Sequence, residues 1–280
     1  MKFRYAHLLS SAGLALGLLA PALAAPVPSG LSITASVSLD TLNSAAPVGG
    51  ASQSGSLSHS TSSPGSSSFT GLPGSLSPSS LSGGLLQTGD SFGASFSMSG
   101  SNPNGGTAQT DNLFADFVLS LVNSSLTETF TLLFKVSTRN SVQASGPDAF
   151  AFSDFSLKDS SLAEIFFTDH RVDTVNPGSN FELQSASDSF SIVLAPGAST
   201  TLTGLQHQRG GTFGNGPGSY SATLFTSIQL QDVDGSGGNN QIPLPGSLPL
   251  VLIGLLSGAW VMRRPLGHPS LHVSATQERS

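Results

Sequence analysis

His170, in "FFTDHRVD" (Phe166 to Asp173), has Asp169 and Asp173 close by, and these are the residues nearest to a hydrolase constellation. Such a site needs a nucleophile, a base within hydrogen-bond reach and a third group that orients the base. Serine abounds, but no Gly-x-Ser-x-Gly elbow presents one, and His207 is expected in a different, Gly-flanked loop. The spacing predicts a loop histidine between strands, and no catalytic residue is assigned. "DVDGSGGNN" (Asp232 to Asn240) opens like an oxygen-ligand calcium loop. The closing acid of an EF-type loop belongs about twelve positions from the first ligand, where this chain has Pro243. No metal ligand is assigned there. "RGGTFGNGPG" (Arg209 to Gly218) has glycines enough for a phosphate cradle, but the segment after it reads as a strand from Tyr220, not a helix. It is predicted to be a hairpin loop. Asn123-Ser-Ser125 matches a glycosylation sequon at a turn. No cofactor is implied.

Composition narrows the classes further. There is no cysteine, so disulfides, thiolate metal sites and thiol nucleophiles are excluded together. Charged residues make up 9%, far below the ~25% of ordinary soluble domains. Between residues 26 and 262 five bases (Lys135, Arg139, Lys158, Arg171, Arg209) face fifteen acids, a balance of −10. Nucleic acid as a partner is excluded, because phosphate binding needs clustered Lys and Arg.

The elements that would carry any site are strands. Leu31 to Leu39 alternates apolar and hydroxyl residues without a break, the period of a half-buried strand. Phe92, Ala94, Phe96 and Met98 alternate in the same way, and "DNLFADFVLSLVNSSLTETFTLLFKVSTRN" reads as two strands joined at Asn123-Ser-Ser125. In the second of these, Leu126, Phe130, Leu132, Phe134 and Val136 are expected to share a face. Further strands are predicted at Phe150–Leu157, Leu162–Thr168, Phe181–Gln184, Phe190–Leu194, Thr200–Leu205 and Tyr220–Leu230. Between the first strand and the others, Thr41 to Gly89 has no Asp, Glu, Lys or Arg, and Ala51 to Ser80 holds fourteen Ser in thirty residues. Such a stretch is predicted to be a flexible spacer, because it offers little apolar area against its ordering entropy. The fold class predicted is mainly β: an immunoglobulin-like antiparallel β-sandwich with seventeen Phe to fill its core.

Both ends carry apolar segments. Lys2 and Arg4, the run Leu8 to Leu19, and the small residues Ala22, Ala24 and Ala25 have the order of a signal peptide cleaved after Ala24 or Ala25. At the other end Ile242-Pro243-Leu244-Pro245 precedes an apolar run from Leu248 to Met262, closed by Arg263 and Arg264. Counted from Pro243 the stretch reaches the ~20 residues of a membrane-spanning helix, and the Arg pair marks its cytoplasmic side. The expected organisation is signal peptide 1–25, strand plus flexible segment 26–90, sandwich 91–234, linker 235–241, tail signal 242–264 and cytoplasmic tail 265–280.

Proline motif, apolar helix and basic cluster in that order resemble the PEP-CTERM sorting signal of exosortase substrates, in its Ile-Pro-Leu-Pro variant. The resemblance implies that the tail holds a precursor in the inner membrane of a Gram-negative cell. It further implies an exosortase-like membrane enzyme that processes the tail at the Pro motif, and a product on the cell surface or in the exopolysaccharide matrix. By it Ile242, Pro243, Leu244 and Pro245 map onto the sorting motif, and Arg263 and Arg264 onto the membrane stop. Sixteen residues, Pro265 to Ser280, extend beyond the basic pair, and Leu244 stands where the Pro-Glu-Pro form has Glu. Three readings follow: a non-enzymatic exported surface or matrix protein, a membrane-tethered carbohydrate-binding or adhesive sandwich, and, with only generic residues in its favour, a hydrolase.

Overall fold

The computed structural model describes residues 24–61, 64–71, 78–175 and 181–236. They form twelve strands: β1 (Leu31–Asp40), β2 (Ala51–Ser60), β3 (Gly65–Gly71), β4 (Ser80–Gly84), β5 (Ser91–Asn102), β6 (Ala108–Asn123), β7 (Thr129–Ser145), β8 (Ala149–Lys158), β9 (Glu164–Asp173), β10 (Phe181–Leu194), β11 (Ser199–Thr212) and β12 (Gly218–Ser236). Two six-stranded sheets result, sheet I in the order β4-β1-β6-β11-β8-β9 and sheet II in the order β10-β7-β12-β5-β2-β3. Every pairing is antiparallel. Only β2–β3 and β8–β9 are consecutive neighbours in one sheet, so most connections step from one sheet to the other.

The mainly-β expectation holds as an antiparallel sandwich, but its extent differs from the sequence reading. An immunoglobulin constant-type sandwich has about seven strands, against twelve here. The segment expected to be a flexible spacer contributes three of them. β2 pairs with β5 from Ala51↔Gly100 to Ser60↔Ser91, β3 pairs with β2, and β4 pairs with β1. Leu57, Phe69 and Leu85 from that segment are buried in the core. These three fall on the inward side, while Leu42, Val48 and Leu86 stay exposed, so a small number of buried residues suffices. The sandwich therefore begins well before residue 91, with Pro26 bridged to Gln87, and ends at Ser236 inside the predicted linker. The two strands predicted around Phe181 and Phe190 are one, β10. Arg209 to Gly218 is not a hairpin loop: its first residues complete β11, and the remainder carries the chain from sheet I to β12 in sheet II.

The interior has two apolar clusters. One, around Phe92, Phe96, Phe117, Phe130, Phe134 and Phe155, fills most of the sandwich; the other gathers Met98, Val142, Val172, Tyr220 and several alanines. The inward residues between them are polar strand after strand: Thr110 on β6, Thr138 and Asn140 on β7, Ser153 on β8, Thr168 and His170 on β9, Gln206 and Gln208 on β11. Asn140 of sheet II and Ser153 of sheet I join across the gap: Asn140 Nδ2 donates to the Ser153 carbonyl at 3.2 Å, and the Ser153 hydroxyl donates to Asn140 Oδ1. Gln206 Nε2 likewise reaches the Leu224 carbonyl at 3.3 Å. Tyr220 locks the smaller cluster. A Cβ on Gly100 or on Gly210 would lie 2.4 Å from its ring, so glycine alone admits the ring at both positions. Its hydroxyl meets Thr110 Oγ1 at 3.0 Å, and burial pushes the phenol up to about 12.

Phe130 and Phe134 are fully buried, so replacing either with Ala is expected to cost about 3–5 kcal/mol in denaturant unfolding. Deleting Ala51 to Ser80 removes β2 and β3 and is expected to abolish the single cooperative transition; a spacer would leave the melting temperature unchanged.

Candidate functional site

Among the described residues, His170, Asp169, Asp173 and His207 are not brought together at one place. His170 is not a loop residue: it lies in β9, points inward, and is 6% exposed, with Nε2 3.2 Å from Thr168 Oγ1. Asp169 and Asp173 alternate with it and belong to the outer face of sheet I, so the trio is split by the pleat. His207 is not in a loop either. It stands on β11 at the outer face, its Nδ1 3.0 Å from Asp154 Oδ1 and its Nε2 2.9 Å from Asn112 Oδ1. Phe114 stacks on its ring at 4.3 Å between centroids, and Phe152 meets it edge-on at 5.3 Å. Arg209 lies over Phe150 and Phe152, 5.9 and 5.3 Å from the ring centroids. Sheet I thus carries an outer patch whose polar groups are bonded to one another.

Asn123 is 1% exposed, and its amide donates to the carbonyls of Glu128, Leu194 and Ala195 at 2.8, 3.0 and 2.9 Å. The sequon amide is therefore a structural tie between two connections and is closed to glycosylation in the folded chain. Asp232 and Asp234 belong to β12, and the rest of that calcium-like stretch lies outside the described residues. Among the described residues no group of three or more His, Asp or Glu is placed to hold a metal ion.

The outer face of sheet II is different, and sequence reasoning missed it. Cross-strand register stacks Ser54, Ser97, Thr223 and Ser141 in one row, with Thr70 at its edge. The row on one side holds Ser52, Ser99, Ser221 and Gln143; the row on the other holds Ser56, Ser95, Phe225 and Arg139. Ser58, Gly93, Ser227 and Ser137 follow, then Ser60, Ser91, Gln229 and Lys135. Arg139 and Lys135 are the only charges in these five rows. The signal was present in the sequence as serine at every second position, Ser52 to Ser60 and Ser95 to Ser101, a period-2 pattern written in the polar residues. Two clefts of about 330 and 350 Å³ open on this face, the first lined by Ser99, Ser101, Gln143, Ser219 and Ser221, the second by Ser95, Arg139, Ser141, Thr223 and Phe225.

Ala24 and Ala25 of the predicted cleavage site stand at the start of the described fold, where the Ala25 amide donates to Thr88 Oγ1 at 2.8 Å. Ala22, the sorting motif Ile242, Pro243, Leu244 and Pro245, and the stop residues Arg263 and Arg264 lie outside the described residues.

No protein-family model and no curated protein matches the chain. Among solved structures the chain is similar to the VP2 subviral particle of infectious bursal disease virus, at 8% identity and a TM-score of 0.17, covering 82% of this chain and 73% of that one. It is also similar to a structure of carbohydrate-binding modules from the β-sandwich superfamily, at 10% identity and a TM-score of 0.14, covering 75% of this chain and all of the other. Scores this low carry no argument about function.

A titration is expected on sheet I. Burial, and then the neighbouring Asp40 carboxylate, raise Asp116 above the ordinary carboxylate range. Asp40 itself is lowered, first by the Asn43 amide donating to it at 2.6 Å. A raised acid binds its proton more tightly in the folded chain than in the unfolded one, so it destabilises the fold above that range and not below it. Asp116→Asn is therefore expected to raise the melting temperature at pH 7, with the gain vanishing in acid below the ordinary Asp value of about 3.9. Equal gain at both pH values would contradict this.

Proposed function

We propose that this chain is a non-enzymatic exported protein of the cell surface or extracellular matrix, held by its C-terminal segment and processed there by an exosortase-like membrane enzyme. The observation that carries the reading is the order of parts around a finished domain. Leader, sandwich, proline motif, apolar run and Arg pair follow one another, and the last strand ends at Ser236, before Ile242. The proline motif follows that domain in the sequence. Its prolines keep the backbone extended and remove two amide donors, which suits an enzyme that must grip a strand just outside the bilayer. The apolar run supplies partitioning, and Arg263 and Arg264 resist being pulled through. Neither His170 nor His207 stands free to act as a base on a substrate, which favours binding or structure over turnover.

A second reading, a tethered carbohydrate-binding or adhesive module, has one specific observation behind it: the hydroxyl rows and clefts on sheet II. It is compatible with the first, since one concerns the tail and the other the domain.

Truncation before Ile242 is expected to release the protein as a soluble exported product. Pro243→Ala with Pro245→Ala leaves the apolar span intact and is expected to trap the full-length precursor in the inner membrane. Mass spectrometry of the surface or matrix fraction checks both. Peptides from Pro265 to Ser280 on the protein in that fraction would mean that no processing occurs and that the tail is a permanent anchor.

A further inference from the structure

We propose that the outer face of sheet II binds a neutral polysaccharide, with the sugar chain lying along β12 over Phe225. The inference deepens the binding-module reading and is independent of how the tail is processed.

Serine has no particular preference for strands; the β-branched and aromatic residues do. Outer faces made for solubility carry Lys and Glu, and those made for strand strength carry Thr and Val. Rows of serine on β2, β5, β12 and β7 serve neither purpose. What they do provide is a dense set of short hydroxyls, each of which donates one hydrogen bond and accepts two. A sugar chain is the ligand with the same equipment, since its hydroxyls also donate and accept and carry no charge.

The two clefts follow one another along β12, from Ser219 and Ser221 to Thr223 and Phe225, on one face. Phe225 is the apolar point there, 43% exposed, set opposite Ser95 on one side and Arg139 on the other. A ligand with alternating C–H and hydroxyl surfaces can use both kinds of neighbour, the ring for its apolar patch and the guanidinium fork for its oxygens. Charge separates neutral from anionic chains. Two cations, Arg139 and Lys135, stand among five rows of uncharged groups, on a chain of formal net charge −6. That balance disfavours a polyanion and matches a neutral polymer. The outer patch of sheet I lacks this openness, because His207, Asp154 and Asn112 are bonded to each other and Arg209 is seated on rings.

The test is native affinity electrophoresis of the full-length chain in detergent micelles, through gels containing hydroxyethylcellulose, dextran or galactomannan, and separately alginate. At least one neutral polymer is expected to retard the chain, and alginate is not. Phe225→Ser and Ser221→Glu, both at outer-face positions, are each expected to weaken the retardation at least about tenfold, the effect of losing a central contact. Phe167→Ser removes an aromatic of 50% exposure from the opposite sheet and is expected to change nothing. No retardation in any neutral gel overturns the proposal. So does stronger retardation in alginate, or unchanged retardation in both sheet II variants. The fate of the tail, read by mass spectrometry of cell fractions, is unaffected by any of these results.

Discussion

Two sheets without a disulfide and with few charges hold together by what their inner faces bury, so each strand must keep its apolar residues on one side of the pleat. That requirement organises the whole domain. β12 lies between β5 and β7, paired with β5 from Gly218 to Gln229 and with β7 from Ser219 to Ser236, which brings Leu224, Ile228 and Leu230 over the same core as Phe92, Phe96, Phe130 and Phe134. Apolar layers alone would allow the sheets to slide over one another. The polar belt between the two clusters opposes this, because the Asn140–Ser153 pair and the bond from Gln206 Nε2 to the Leu224 carbonyl form at one register only. Tyr220, seated against Gly100 of one sheet and Gly210 of the other, adds a steric key at the far end.

The same period explains the two outer faces. Once the inward set is fixed, the alternate residues face solvent in straight cross-strand rows, and their chemistry is free to vary. On sheet I they are aromatic and charged and satisfy each other around His207. On sheet II they are mostly hydroxylic, with Gln143, Phe225, Arg139 and Gly93 among them in the central rows. The domain therefore presents one face whose polar groups bond to each other and one face of hydroxyl rows. Its chain leaves β12 at Ser236 and runs on toward the proline motif at Ile242.

Strands with large inward residues were legible. "LSITASVSL" in β1 puts Leu, Ile and Val, and "YSATLFTSIQL" in β12 puts Tyr, Leu and Ile, at alternate places, and the structure has β1 at Leu31–Asp40 and carries β12 on to Ser236. β2 was not legible, because its inward residues are Ala51, Gln53, Gly55, Leu57 and His59, which include one large aliphatic side chain. Gly55 is small for a reason invisible in the sequence: a Cβ there would lie 2.5 Å from the rings of both Phe69 and Phe96. The strand's apolar partners are supplied by β3 and β5. His207 was misread because the glycines after it, Gly210 and Gly211, resemble a turn; they are strand residues, and a Cβ on either would come within 2.8 Å of an aromatic ring. In both cases glycine marked close packing against an aromatic ring rather than a bend.

The central claim is that the serine-rich stretch is a load-sharing part of the sandwich and, through it, of the hydroxyl face. Hydrogen–deuterium exchange of the full-length chain tests this most directly at the β2 amides. β2 lies between β3 and β5, so its amides from Ala51 to Ser60 are predicted to exchange as slowly as those of β5 and β12, near the rate of global unfolding. Exchange of that segment at the rate of an unstructured peptide, while β5 and β12 stay protected, would contradict the account.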